Sequence, residues 1–216
     1  TGESQELLIE LGLLKRKEEN GRVYDFLRGR LVIPIVDRRG DVIGFTARNL
    51  VDNVDAAKYV NSQESEAYHK GDTVFGMNVA FAQARKEERM YLVEGAPDAM
   101  KMHSVGIDNV VATLGGNWTE KQFELVKKAA TNVCFINDAD PVPVGKRYGT
   151  GIGYVLRNGE LAMKQGLNVT VRELPCKEGN LKQDPGDFFT TSARLNELKE
   201  EDFVTWAAQK IIDKDA

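Results

Sequence analysis

The hydrophobic pattern divides the chain into three stretches. In the first, apolar residues at helical spacing over Glu6–Leu14 predict a short opening helix. The apolar run Arg30–Asp37, the charged turn Arg38–Asp41 and the returning run Val42–Arg48 predict a β-hairpin, with Gly40 serving the turn. A polar loop of weak periodicity follows, and then a helix over Asn78–Lys86. The second stretch alternates. Met90–Val93, Asn109–Ala112, Asn132–Ile136 and Leu167–Val171 are short continuous apolar runs. Between them lie helical patterns at Ala96–Val105, with Pro97 in the first turn, at Thr119–Ala130, with Thr119 as N-cap, and at Gly151–Gln165. Buried strands separated by helices predict a parallel sheet covered on both faces. In the third stretch Leu198, Phe203, Trp206 and Ile211 stand among charges over 195–212. They predict a surface helix or helix pair. The organisation read from this pattern is a mixed α+β N-terminal subdomain (1–87), an α/β sheet subdomain (88–180) and an acidic, helical C-terminal segment (181–216).

A sheet of this kind presents its ligand site at the carboxyl ends of its strands. Three groups of acids fall there. Glu94 follows the first strand, with Gly95 letting the backbone turn with no side chain in the way. Asp138 and Asp140 follow the third, and in extended chain residues two apart point the same way. Asp184 and Asp187, in Asp-Pro-Gly-Asp, follow the fourth. Each group alone reads as a turn or a capped loop. Together at successive strand ends they point to a site for a hard divalent cation, which takes oxygen ligands and relieves the repulsion of clustered carboxylates.

Composition narrows the classes. No apolar run reaches the roughly 18 residues of a membrane span, and the first residues lack the pattern of a signal peptide. The two cysteines, Cys134 and Cys176, are expected as free thiols of a reducing, cytoplasmic compartment. Two cysteines and two histidines at scattered spacing do not build a structural zinc site. The formal net charge of −4 argues against a nucleic-acid partner, but its distribution does not. Lys15–Arg48 holds nine Lys/Arg against five Asp/Glu, whereas 181–216 holds eight acids against five bases. A basic front half can hold a nucleic acid locally; equally, it can be a solvated charged face.

Glu94-Gly-Ala-Pro-Asp98 followed by Asp138-Ala-Asp140 resembles the TOPRIM signature of topoisomerases, primases, small nucleases and recombination-repair proteins. The first stretch selects among them. Tyr24–Asp37, Arg39-Gly40, Val42–Phe45, Arg48, Lys58–Ser62, His69-Lys-Gly71 and Phe75-Gly76 resemble the N-terminal part of the bacterial DnaG-type primase core, and Ala112–Gly115 resembles the segment between its TOPRIM motifs. The likeness covers residues 10–190. It implies a TOPRIM sheet flanked by helices and a DNA primase catalytic core, a nucleotidyltransferase that makes short RNA primers on single-stranded DNA. It implies Glu94, Asp138 and Asp140 as catalytic residues, and Glu94, Asp138, Asp140 and Asp184 as ligands of Mg²⁺ or Mn²⁺. Arg30, Arg48, Lys58, Tyr59, Asn61 and Lys70 would line a basic face for template or nucleotide phosphates, with Tyr59 able to stack on an unpaired base. The implied partners are single-stranded DNA, ribonucleoside triphosphates and, from the full-length protein, a replicative helicase and a zinc-binding module; no zinc, no membrane and a monomer are expected here.

Two departures from the family pattern stand out. Position 186 is Gly where the family often has Asp, so Asp187 either supplies the missing ligand or faces solvent. Pro141–Tyr148 is inserted after Asp140; Lys146 and Arg147 either meet phosphates or belong to a mobile loop, and the loop is the favoured reading. Gly149-Thr-Gly-Ile-Gly153 resembles a phosphate loop only distantly, since it lacks the Walker lysine. Cys134, Trp118 and Trp206 are expected to pack, and His103 to pack or to face water. The competing functional readings are a TOPRIM nuclease and a non-catalytic single-strand-binding module of a mobile element.

Overall fold

In the computed structural model, residues 2–51 and 56–212 are described. The chain separates into two compact units, Thr1–Lys70 and Gly71–Ala216.

The first unit opens with α1 (Gly2–Glu10) and a two-stranded antiparallel ribbon, β1 (Leu14–Arg16) with β2 (Val23–Asp25). The predicted hairpin is present as β3 (Arg30–Val36) and β4 (Val42–Asn49), paired from Arg30↔Asn49 to Val36↔Val42. Gly40 takes φ 101° in its turn, a left-handed conformation that a side chain would strain. A third strand, β5 (Tyr59–Asn61), adds to β4. Ile33, Ile35 and Ala47 are buried in this sheet, as is Tyr68, whose ring lies where a Cβ on Gly44 would come within 3.2 Å.

In the second unit α2 (Met77–Glu87) leads into β6 (Arg89–Val93), α3 (Ala96–Ser104), β7 (Val110–Ala112), α4 (Glu120–Lys127), β8 (Asn132–Phe135), α5 (Thr150–Lys164) and β9 (Asn168–Arg172). Thr119 caps α4 as expected, and Gln122 caps it in return. After a short α6 (Pro185–Phe188) and a 3₁₀ turn, the chain adds β10 (Glu200–Asp202) and α7 (Phe203–Ile212). The strand order is β10-β9-β8-β6-β7. The four apolar strands are parallel, whereas β10 runs antiparallel to β9 at the edge.

That edge departs from the predicted surface helix or helix pair over 195–212. Glu-Glu-Asp has no intrinsic preference for a strand. It becomes one because Arg89 and Arg172, on β6 and β9, draw the Glu200 carboxylate onto the sheet. Alternate residues Met90, Leu92, Val111, Val133, Phe135, Val169 and Val171 form one core with α2, α4, α5 and α7. Trp118 and Trp206 are buried in it, and Cys134 is a buried free thiol; Cys176 is free and exposed. Of the two readings of His103 the packed one holds, with Nε2 donating to the Val110 carbonyl at 2.8 Å. Among the described residues no helix is long and apolar enough to cross a membrane.

Candidate active site

The carboxyl ends of β6 and β8 carry the acids. Glu94 is the residue after β6, and its backbone carbonyl accepts from Thr113 Oγ1, just beyond β7, at 3.3 Å. Gly95 does not turn the chain through a left-handed conformation: it is the extended N-cap of α3, at φ −128°. What this position requires is small size, since a Cβ would lie 3.0 Å from Asp98 Oδ2.

Asp138 and Asp140 lie past β8, held by a short antiparallel bridge in which Ala139 and Gln183 exchange backbone hydrogen bonds of 2.8 and 3.1 Å. Their side chains are 11% and 15% exposed, and the ammonium of Lys182 bridges them, to Asp138 Oδ2 and, at 2.9 Å, to Asp140 Oδ1. The Gly149–Gly153 stretch forms the start of α5 rather than a phosphate loop. Gly151 N–H donates to Asp140 Oδ2 at 3.1 Å. A Cβ on Gly151 would collide with the Asp138 carbonyl, and one on Gly149 with the Asp140 carbonyl, so glycines here let the helix abut the acid-bearing loop.

Asp184 is brought to the same place but works as a helix cap, its Oδ1 accepting from Asp187 N–H at 2.7 Å. Asp187 turns outward and pairs with Lys177. Gly186 stands between two carboxylates: its N–H donates to Asp98 Oδ1 at 3.1 Å, and a Cβ there would come within 3.3 Å of Asp98 and 3.2 Å of Asp184.

Sequence reading passed over two members of this cluster. Asp98 sits in the first turn of α3, where an acid reads as an ordinary complement to the helix dipole. Its side chain is instead folded inward against α6. Lys182 carried no motif at all. The sequence offered only its place beside Asp184.

The electrostatics follow from crowding. Burial, then the charges of Asp138 and Asp140, push Glu94 up to about 7, against the opposing pull of Lys182. Burial, then Asp138 and Asp184, push Asp98 up to about 7, although the Gly186 N–H opposes the shift. Burial also raises Asp138, with Lys182 resisting. Burial would lower Lys182, but its bonds to Asp138 and Asp140 outweigh this and raise it. Glu94 Oε1, Asp138 Oδ1 and Asn137 Oδ1 are buried with no hydrogen-bond partner. Among the described residues no three His, Cys, Asp or Glu side chains stand in ligating geometry about one point.

The basic candidates belong to the first unit. Arg48 and Tyr59 are directly paired across β4 and β5, as are Thr46 and Asn61, so Arg48, Tyr59 and Asn61 share a sheet face. Arg30 pairs with Asn49 and so lies on the other face, its guanidinium donating to the Ala57 carbonyl at 2.9 Å. Lys58 is exposed just before β5, and the Lys70 backbone N–H donates to Glu64. Beside Arg30 is a cleft of about 430 Å³ lined by Tyr24, Phe26, Arg28 and Asn49. Its rings are capped by cations, Arg28 4.2 Å over Tyr24 and Lys15 3.8 Å over Phe26.

Comparison with known proteins matches both units. Residues 1–81 match the family model of the DNA primase catalytic core, N-terminal domain, and residues 91–189 the Toprim-like model. The chain belongs to the bacterial DnaG-type primase catalytic cores. The DNA primase of Listeria monocytogenes is 32% identical over 202 residues, 93% of this chain and 30% of that protein. A structure of the Aquifex aeolicus primase zinc-binding and RNA polymerase domains superposes with a TM-score of 0.79 at 30% identity, over 97% of this chain and 50% of that one. A DnaG primase catalytic domain bound to single-stranded DNA superposes with a TM-score of 0.70 at 30% identity, over 97% of this chain and 61% of that one. The chain thus spans about a third of the length of the curated primases it matches.

Proposed function

We propose that this chain synthesises short RNA primers on single-stranded DNA by divalent-cation-dependent nucleotidyl transfer. The observation that carries the reading is the carboxylate cluster at the carboxyl edge of the sheet, within a chain of the primase-core family.

The donor chemistry of the cluster suits a hard cation. Buried oxygens of Glu94 and Asp138 lack any donor, and the one cation that reaches Asp138 and Asp140 among the described residues is an ammonium. Burying several acids uncompensated is costly, and carboxylate oxygens are the donors that Mg²⁺ and Mn²⁺ prefer. Glu94, Asp138 and Asp140 would hold the ion, with Asp98 beside them; Asp184, as a cap, shapes the loop. When bound, the ion supplies stabilisation of the charge that develops as a ribonucleotide 3′ oxygen displaces pyrophosphate from the next nucleotide.

The chain's own contribution is positioning. The glycine-permitted contact of α5 with the 138–140 loop fixes the two aspartates against the sheet. In the first unit, Arg48 would neutralise template phosphates, with Lys58, Lys70 and Arg30 adding charge, and Tyr59 and Asn61 on the face of Arg48 would meet bases. The DnaG catalytic domain bound to single-stranded DNA supports a single strand as the partner. In the parent protein we assign a zinc-binding module and a replicative helicase as partners, and we assign the chain itself as a monomer.

The test is incubation of the chain with single-stranded DNA and labelled ribonucleoside triphosphates, with Mg²⁺ or Mn²⁺. Short RNA that requires template, cation and nucleotides is expected. Cleavage of the DNA with no nucleotide present would make the chain a nuclease. DNA binding with neither chemistry would make it a binding module.

A further inference from the structure

We propose that Lys182 is a displaceable counter-ion of the carboxylate cluster. Its ammonium holds Asp138 and Asp140 together until a divalent cation replaces it, and this competition sets how much cation the chain needs. The inference rests on the reading of the cluster as a cation site.

The backbone puts Lys182 there. The two hydrogen bonds between Ala139 and Gln183 set the residue before Gln183 beside the Asp138 and Asp140 side chains. The segment is braced from its other end, where Lys177 and Leu181 exchange backbone bonds around Gly179 and Asn180, both left-handed at φ 76° and 57°. The ammonium then bonds one oxygen of each aspartate.

Exposure separates the fixed from the movable partner. The aspartates are 11% and 15% exposed, whereas the Lys182 side chain is 51% exposed. The lysine therefore enters from the solvent side and can withdraw along its flexible stem without opening the core.

Charge argues that the pairing is temporary. One positive charge faces Asp138 and Asp140 directly, with the further acids Glu94 and Asp98 coupled to them. It leaves Asp138 Oδ1 and Glu94 Oε1 without partners. A dication brings twice the charge to the same oxygens, but binding it means breaking both lysine bonds. Lys182 thus lowers the cost of the cation-free cluster and weakens cation binding by the same interaction.

The test is direct Mn²⁺ binding to the 216-residue chain by electron paramagnetic resonance, with melting temperatures in chelator and in Mn²⁺. Lys182→Met is expected to bind Mn²⁺ on the order of tenfold tighter, to melt lower than wild type in chelator, and to gain more from Mn²⁺. Lys182→Arg, which keeps the charge, stays close to wild type, and Asp140→Asn weakens binding. In wild type, acylation of Lys182 followed by mass spectrometry becomes faster when Mn²⁺ is added, a readout that needs no variant. If Lys182→Met binds no tighter, or acylation ignores Mn²⁺, while Asp140→Asn still weakens binding, the counter-ion role is wrong and the cation site stands. If Mn²⁺ binding is absent, or indifferent to Asp140→Asn, the cation site falls and the counter-ion role with it.

Discussion

Gly151 shows how tightly the site depends on single atoms. Its amide donates to Asp140, and its α-carbon faces the Asp138 carbonyl with no room for a methyl group. Gly151→Ala forces backbone against backbone, so the loop carrying both aspartates must shift. Displacements of about 1 Å in a catalytic group can cost on the order of 10²-fold in rate. Primer synthesis by Gly151→Ala is therefore expected to fall by about that factor, in a steady-state assay, while the protein stays folded by circular dichroism. Gly153→Ala, two residues on, meets only the Tyr148 ring and the Arg157 guanidinium at 3.3 and 3.4 Å, side chains that can give way, and should keep near-normal activity. The glycine spacing was visible in the sequence. Its cause was not, because it depends on how the connection from β8 folds back against the first turn of α5.

At the scale of elements, the parallel strands and their helices were legible because each is a continuous apolar run bounded by caps and turns, as with Thr119 ahead of α4. The C-terminal edge was hidden, because β10 is made by long-range ion pairs rather than by pattern. Glu200 accepts from Arg89 at 2.5 and 2.6 Å and from Arg172 at 2.8 Å, and from Thr170 at 2.7 Å. Burial would raise this carboxyl, but the bonds from Arg89, Thr170 and Arg172 outweigh it and hold the group down at about 2, below its ordinary value of 4.5. A depressed carboxyl contributes stability above its unfolded pKa and loses it as pH falls through the folded one. Glu200→Gln should thus cost about 1–3 kcal/mol at pH 7, by urea unfolding, and the gap to wild type should close between pH 4.5 and 2. Gly159 belongs to the same edge. In mid-helix it reads as a weak point of α5, yet a Cβ there would collide with the Phe203 ring at the start of α7. Gly159→Ala should therefore destabilise by about 1–3 kcal/mol, although alanine favours a helix by about 1 kcal/mol. Phe203→Leu in the same chain should recover part of the loss in thermal denaturation.

Across the whole molecule, neither unit is basic as a whole, and the basic candidates and the clustered acids stand in different units. Arg48 and Lys58 lie in the first unit, and the acids Glu94, Asp98, Asp138 and Asp140 in the second, so a formal net charge of −4 hides both. Sequence motifs pointed to Glu94, Asp138 and Asp140, which follow β6 and β8, because strand ends are readable. They missed Asp98 and Lys182, whose roles depend on how α3 and the 177–183 segment fold back on the strand ends. The division implies that catalysis and strand binding can be separated. The most direct measurement is template-dependent RNA synthesis by Asp138→Ala beside wild type, with single-strand affinity measured on the same preparations. The account predicts that synthesis falls by at least about 10²–10³-fold while DNA binding is undiminished. Synthesis at the wild-type rate by a folded Asp138→Ala protein would contradict it.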